Sequence, residues 1–393
     1  MKILQIHNKY KQYGGEDAVL KLEFELLQKN GNQVEQIIFD NKVINSFWSK
    51  MSLFYKSIYN FSSAQLLKNK IKMFDPDIIH VHNFFPIASP SIFYIAKKNK
   101  IPIILTLHNY RLLCANAELY RNNNPCFNCV NKTFPLDGII HACYRSSKIE
   151  SIIITLMASF HKIKNTWHNQ VDGFIALTNY SKNLFIQSST KLNPNKVFIK
   201  SNFINEYNSK SINFIRSDYY LFVGRLIDSK GVINLLKAAE LFHFNLCIIG
   251  DGPLVETVLD FTKKNTNITY EGFQTQEYIL KKMAESRALI FPSIKIEGFP
   301  VTIIESLSVA TPVICFNSGP LGEIIQNNYN GFVYNNTEQL MDIIKTLNQN
   351  IEKYNYLYSN AKQSFLNNYT PERNYEELLK IYQTIILNNK IKK

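Results

Sequence analysis

Short apolar runs rich in β-branched residues recur along the chain, each bounded by turn residues, with helical patterns between them. They predict strands at 2–7, 33–39, 78–82, 103–107 and 173–177, then at 220–223, 245–249, 268–270, 288–291 and 313–316. The runs are continuous rather than alternating, as in parallel strands covered on both faces. Residues 16–30 read as an amphipathic helix with Val19, Leu22 and Leu26 on one side and Gly31 as its stop. Residues 151–161 and 232–242 also fit helices. The alternation runs twice, restarting near Tyr219 after a polar, linker-like stretch at 205–218. It predicts an α/β protein of two doubly wound, Rossmann-like domains, 1–205 and 206–370, with a helix at 371–393 returning to the first. In such sheets ligands bind beyond the carboxyl ends of the strands, so both domains are expected to face one central cleft.

A chain of 393 residues, 46% apolar and 19% charged, has the composition of a folded protein and the length of two domains. No apolar run approaches the ~18 residues of a membrane span. The first residues, MKILQIHNKY, read as a buried strand rather than a secretory signal. A cytoplasmic location is the expectation. Charge is unevenly placed. Residues 1–200 hold 25 Lys and Arg against 12 Asp and Glu, a net +13, whereas residues 201–393 hold 19 of each. The first half is therefore expected to meet something anionic, such as a membrane surface, unless the bias merely reflects a Lys-rich proteome. No nucleic-acid recognition motif accompanies it.

The most specific chemistry lies at Ile296-Glu297-Gly298-Phe299-Pro300-Val301-Thr302-Ile303-Ile304-Glu305. A strand ends just before it and an apolar helix follows. Pro300 fits the first helical turn, where its missing N–H costs nothing. The N–H groups of Val301 and Thr302 then point from a helix N-terminus, a ready anion site, with Glu297 and Glu305 on either side. A second motif, Gly224-Arg225 with Lys230-Gly231, places two cations beyond a strand, where they can hold a diphosphate. Ile249-Gly250-Asp251-Gly252 also leaves a strand and opens a helix. Tyr13-Gly14-Gly15 follows the first strand, and its glycines allow close approach of backbone to a phosphate. His108 ends the strand at 103–107. His80 and His82 read as half-buried strand residues, and Asp75-Pro-Asp77 as a turn.

These motifs resemble those of the family 4 retaining glycosyltransferases, glycosyl transferases group 1, which have the GT-B fold. The resemblance is dense from Tyr220 to about Val333, where Ser318-Gly-Pro-Leu-Gly-Glu323 and Asn330-Gly-Phe332 continue it, and sparse before. It implies that Glu297 contacts the donor sugar, Glu305 binds the ribose hydroxyls, and Arg225 and Lys230 stabilise the leaving nucleotide diphosphate. By the same resemblance Gly224 and Gly250 lie by the nucleotide, Phe273 borders the base, Gly14 and Gly15 lie near the donor phosphates, and His108 sits beside the donor sugar. The activity implied is metal-independent, retaining transfer of a hexosyl or N-acetylhexosaminyl group. The donor would be a nucleotide sugar, UDP-linked rather than GDP-linked, and the acceptor lipid-linked or a saccharide in surface-polysaccharide assembly. A non-catalytic nucleotide-sugar sensor and a GT-B epimerase are the alternatives.

Four cysteines depart from the common family pattern. Cys114, Cys126, Cys129 and Cys143 crowd into one loop-like region, with a knuckle spacing at Cys126-x2-Cys129. Four thiolates suit tetrahedral zinc, so a structural zinc is expected there beside the alternative of four unconnected thiols; catalysis itself is expected to need no cofactor. Finally, residues 41–74 interleave Phe47, Trp48, Phe54, Tyr55 and Tyr59 with Lys42, Lys50, Lys56, Lys68, Lys70 and Lys72. That pattern suits a helix on an anionic bilayer, or one packed on the first domain.

Overall fold

A computed structural model describes residues 1–9, 14–40, 55–207, 216–350 and 355–391. The chain divides into two compact units. One comprises Met1–Leu119, Cys126–Asn202 and Asn374–Lys393; the other comprises Tyr120–Pro125 and Phe203–Arg373. Most of the 205–218 linker, together with Tyr13, Lys42, Phe47, Trp48, Lys50 and Phe54, lies outside the described residues.

The first unit holds a six-stranded parallel sheet of β1 (Lys2–Lys9), β2 (Gln33–Asp40), β3 (Ile78–Val81), β4 (Ile103–Leu107), β7 (Gly173–Ala176) and β8 (Val197–Ile199). The strands are ordered β2-β1-β3-β4-β7-β8. A small hairpin, β5 (Tyr120–Arg121) with β6 (Asn124–Pro125), interrupts the chain between β4 and β7. The helix Gly15–Lys29 buries Val19, Leu20, Glu23, Leu26 and Leu27, while Leu22 is half-buried. The buried face is thus rotated from the predicted Val19–Leu22–Leu26 line and contains a carboxylate. The final helix, Pro371–Ile391, places Leu378, Ile381, Tyr382 and Ile385 in one core with Ile3, Leu27, Ile78, Ile104 and Ile175. Gly173 makes room for it: a Cβ there would lie 2.4 Å from Ile385 Cδ1.

The second unit repeats the scheme with β9 (Tyr220–Val223), β10 (Leu246–Ile249), β11 (Ile268–Tyr270), β12 (Ala288–Phe291), β13 (Val313–Phe316) and β14 (Gly331–Tyr334). Their order is β11-β10-β9-β12-β13-β14, again all parallel. Inner strands that are apolar and buried on both faces account for the centre of each sheet, while the edge strands β2, β8 and β11 keep exposed positions.

Candidate active site

In the second sheet the strand order reverses between β9 and β12. Connections leave in opposite directions there, and in such sheets ligands bind beyond the carboxyl ends of the strands at that point. The chain leaving β9 carries Gly224, Arg225 and the turn Asp228–Lys230; the chain leaving β12 carries Ser293 to Pro300. The two loops touch because Gly231 has φ +71°, and a Cβ there would lie 2.1 Å from Pro292 O. Ile294 N donates to Ser229 O at 3.0 Å, and Ser318 Oγ donates to Lys295 O at 2.8 Å.

This scaffold brings Lys230 Nζ to 2.7 Å from Glu297 Oε1, and Ser293 Oγ donates to the same oxygen at 2.7 Å. Lys295 Nζ lies 4.0 Å from Oε2. Burial alone would raise the Glu297 pKa, but Lys230 and Lys295 outweigh it and hold the carboxyl down to about 2. Glu297 is therefore a fixed anion, and Lys230 is oriented by it. Arg225 is exposed and forms no ion pair with a described residue. Next to this pair the β9 and β10 loops meet backbone to backbone: a Cβ on Gly250 would lie 1.9 Å from Gly224 O.

The helix Val301–Ser308 begins after Pro300, which is its extended N-cap (φ −77°, ψ 114°) and not, as the sequence suggests, a residue of its first turn. Ile303 N donates to Pro300 O, so the N–H groups of Val301 and Thr302 precede the first bond at that cap. Phe299 is buried edge-on against Tyr369, with half-buried Gly298 before it. Glu305, one turn into the helix, is half-buried and accepts from Gln276 Nε2 at 3.1 Å. Burial raises its pKa to about 7, and the Gln276 bond offsets only part of that. Phe273 follows β11 and is 81% exposed.

In the first unit the order reverses between β1 and β3. Asn83 Nδ2 donates to Asn8 O at 2.8 Å, and Asn8 Oδ1 accepts from Ile87 N at 2.8 Å, tying the two strand ends together. Gly14 caps the first helix and Gly15 opens it; Gly14 N donates to Asp17 Oδ2 at 3.0 Å, while Asp17 Oδ1 lies 2.9 Å from His7 Nε2.

His80 and His82 are not half-buried, as the sequence suggests, but 0% and 3% exposed. They close on Glu23: Oε1 lies 3.0 Å from His80 Nδ1 and 3.1 Å from His82 Nε2, and Oε2 accepts from Lys200 Nζ at 3.2 Å. His82 Nδ1 in turn lies 3.0 Å from His108 Nε2. Burial raises the Glu23 pKa, yet Lys200, His80 and His82 overcome it and hold the carboxyl well below its usual range. Burial and the neighbouring His80 lower His82 to about 4, and burial with His82 lowers His108. A carboxylate only accepts, so His82 Nε2 carries the proton and its Nδ1 accepts from His108 Nε2. His108 Nδ1 is left as an acceptor. His108 lines a cavity with His82, Asn83, Phe85, Arg111 and Tyr144. Arg111 lies over the rings of Phe85 (5.3 Å) and Tyr144 (5.0 Å).

Glu23, His80 and His82 are the group of described side chains whose donor atoms fall within 4.8 Å of one another, the spacing of a metal site. The Lys200 ammonium already supplies the positive charge there, so the set reads as a structural network. None of the four clustered cysteines is in a disulfide, and no three of them form such a group. Burial, with Cys114, Asp137 and Cys143 nearby, pushes the Cys129 thiol up to about 12; Cys114 Sγ donates to Asn116 Oδ1 at 2.9 Å.

Two parallel six-stranded sheets, each with polar side chains at its reversal point, make up the GT-B fold. The chain belongs to the group 1 glycosyltransferases: the family model for glycosyl transferases group 1 matches residues 205–364, and that for glycosyltransferase family 4 matches residues 37–206. An uncharacterized glycosyltransferase of Methanocaldococcus jannaschii is 27% identical over 98% of this chain and 99% of its own. The O-antigen chain mannosyltransferase C of Escherichia coli is 28% identical over 44% of this chain and 48% of its own. Among solved structures, Anabaena HepE in complex with UDP superposes with a TM-score of 0.68 at 14% identity, covering 98% of this chain and 100% of its own, a likeness of fold.

Nothing in the motifs marks Ser293, Lys295 or Gln276 in the second unit, or Glu23, Lys200 and Asn374 in the first, where Asn374 Oδ1 accepts from Lys200 at 3.0 Å. Glu23 left a readable signal. It falls on the helix face of Leu20 and Leu27, where a carboxylate is out of place unless partnered.

Proposed function

We propose that this enzyme moves a hexosyl or N-acetylhexosaminyl group from a nucleotide sugar, UDP-linked rather than GDP-linked, to a hydroxyl of a lipid-linked or saccharide acceptor, with retention and without a metal. The observation that carries this reading is the Lys230–Glu297 pair at the reversal point of the second sheet, beside exposed Arg225. The UDP complex of the Anabaena neighbour supports the choice of nucleotide, and the Escherichia coli relative supports a role in building surface polysaccharide such as O-antigen, capsule or exopolysaccharide.

The acceptor oxygen attacks the anomeric carbon on the face from which the diphosphate departs. The C1–O bond to phosphate breaks with its electron pair going to the phosphate oxygen, and that oxygen takes the acceptor's proton. Lys230, Arg225 and the N–H groups of Val301 and Thr302 meet the growing negative charge. Glu297 steers Lys230 and contacts the transferred sugar, Glu305 accepts from the ribose hydroxyls, and His108 Nδ1 accepts from a sugar hydroxyl. Gly14, Gly15, Gly224, Gly250 and Phe273 border the donor.

We further propose that Cys114, Cys126, Cys129 and Cys143 take up one structural zinc, on the strength of their spacing and of the shared neighbourhood of Cys114, Cys129 and Cys143. The sulfurs would have to move together and lose their protons to do so. Incubation with UDP-, GDP- and ADP-sugars tests the main reading. Transfer from one of them supports it; binding without turnover would indicate a sensor, and conversion of the donor sugar itself an epimerase.

A further inference from the structure

The helix Lys148–Ile163 of the first unit carries apolar side chains on both its buried and its exposed side. One face is core: Ile153, Ile154, Met157 and Ala158 are buried. The other face is solvent. Ile149 is 65% exposed, Ile152 37%, Phe160 40% and Ile163 68%, with Leu156 half-buried between them. The spacing 149-152-156-160-163 is that of one helical stripe. After Lys148, every exposed residue of this helix is apolar. By contrast, the helix Phe61–Phe74, within the segment the sequence marks for a membrane, exposes Ser62, Gln65, Lys68, Asn69 and Lys72 among its apolar residues.

An exposed apolar stripe of this length is normally an interaction surface. Here the cover is set by the flanking charge. Lys148 and Lys164 stand exposed at the two ends of the stripe. The nearby acids are each held by a cation, Glu150 by Arg145 at 3.5 Å and Asp137 by Lys132 at 2.6 Å. A second copy laid on the stripe would bring lysine against lysine at its ends in either orientation. An anionic lipid surface takes the apolar stripe between its acyl chains and the lysines at its headgroups.

We infer that the Ile149–Ile163 stripe is a docking surface for an anionic lipid bilayer, on which this helix lies in the interfacial plane. The contact needs neither donor nor acceptor, so it stands or falls separately from the transfer reaction.

Flotation of the full chain with phosphatidylcholine vesicles, with and without added phosphatidylglycerol, tests it. The full chain should float with the anionic vesicles and more weakly with the neutral ones. Joint replacement Ile149→Asp and Ile163→Asp should reduce binding tenfold or more, ~1.4 kcal/mol per factor of ten. The pair Leu66→Ser and Met73→Ser, exposed on the other helix, should bind as the unaltered chain does. Phe160→Trp keeps an apolar residue on the stripe, and its indole emission should shift to the blue on adding anionic vesicles. Absence of flotation, flotation unaffected by the Asp pair, loss with the Leu66/Met73 pair instead, or an indole that ignores lipid overturns the inference. So does a sedimentation experiment showing a dimer that the Asp pair abolishes while lipid is not bound.

Discussion

Lys230 Nζ and Glu297 Oε1 lie 2.7 Å apart although 67 residues separate them in sequence. The contact exists because the second sheet reverses between β9 and β12, and because Gly231 lets the loop after one strand touch the loop after the other. Glu297 orients the cation and offsets its charge, so under the proposed function a diphosphate would meet a lysine already aimed. Neutralising Glu297 as Glu297→Gln should lower kcat more than it raises the donor KM. Steady-state kinetics checks this, and an unchanged kcat would remove Glu297 from the site.

Glu305 gives a pH prediction. Burial raises its pKa from 4.5 to about 7, so between those values the folded protein holds a proton that the unfolded chain has lost. Stability should therefore fall as pH rises through that window, and Glu305→Gln should flatten the fall. Donor binding should run the other way. An ionised carboxylate accepts from two ribose hydroxyls better than a protonated one, so the donor KM should rise as pH drops below about 7. Glu305→Ala should raise that KM at any pH with a smaller effect on kcat. Thermal melts and KM measured on both sides of pH 7 check both halves.

The buried Glu23–Lys200 pair, 1% and 2% exposed, gives a stability prediction. Glu23→Ala leaves an ammonium and two histidines without their anion, and should cost about 3–5 kcal/mol. Adding Lys200→Met should recover part of that loss. Because Glu23 is held well below its usual pKa, its contribution should be present above the ordinary carboxyl range and lost on acidification through its lowered value. Denaturant unfolding of the single and double variants reads the effect. His82→Phe should disturb activity more than stability, through the loss of the fixed tautomer of His108.

Elemental analysis of the purified protein should find one zinc per chain, released with unfolding by chelator. No metal, together with thiols that titrate freely in the native state, would dismiss the zinc proposal.

The sequence made ten of the twelve strands of the two large sheets legible, because the buried inner strands are continuous apolar runs and the edge strands β2 and β11 still carry β-branched residues. It hid β8, three residues long after Pro194, and β14, which begins at Gly331 in an Asn-Gly pair that reads as a turn. That glycine is there for close packing: a Cβ would lie 2.0 Å from Val313 O. In the second unit, Lys230 and Glu297 were each legible as local motifs, but their contact was not, since it depends on strand order. In the first unit His108 was legible as a strand-end residue. The Glu23–His82–His108 chain was not, because it joins a helix to two strands through side chains that look ordinary one at a time.

The most direct measurement is transfer from a UDP-sugar in excess EDTA by the unaltered protein and by Arg225→Ala and Lys230→Ala, each shown to be folded. Transfer should persist with the chelator, with the anomeric configuration of the donor kept in the product. Loss of one such donor of positive charge should lower the rate by about 10²–10³. Activity abolished by EDTA and restored by magnesium, or variants as fast as the unaltered protein, would contradict this mechanism.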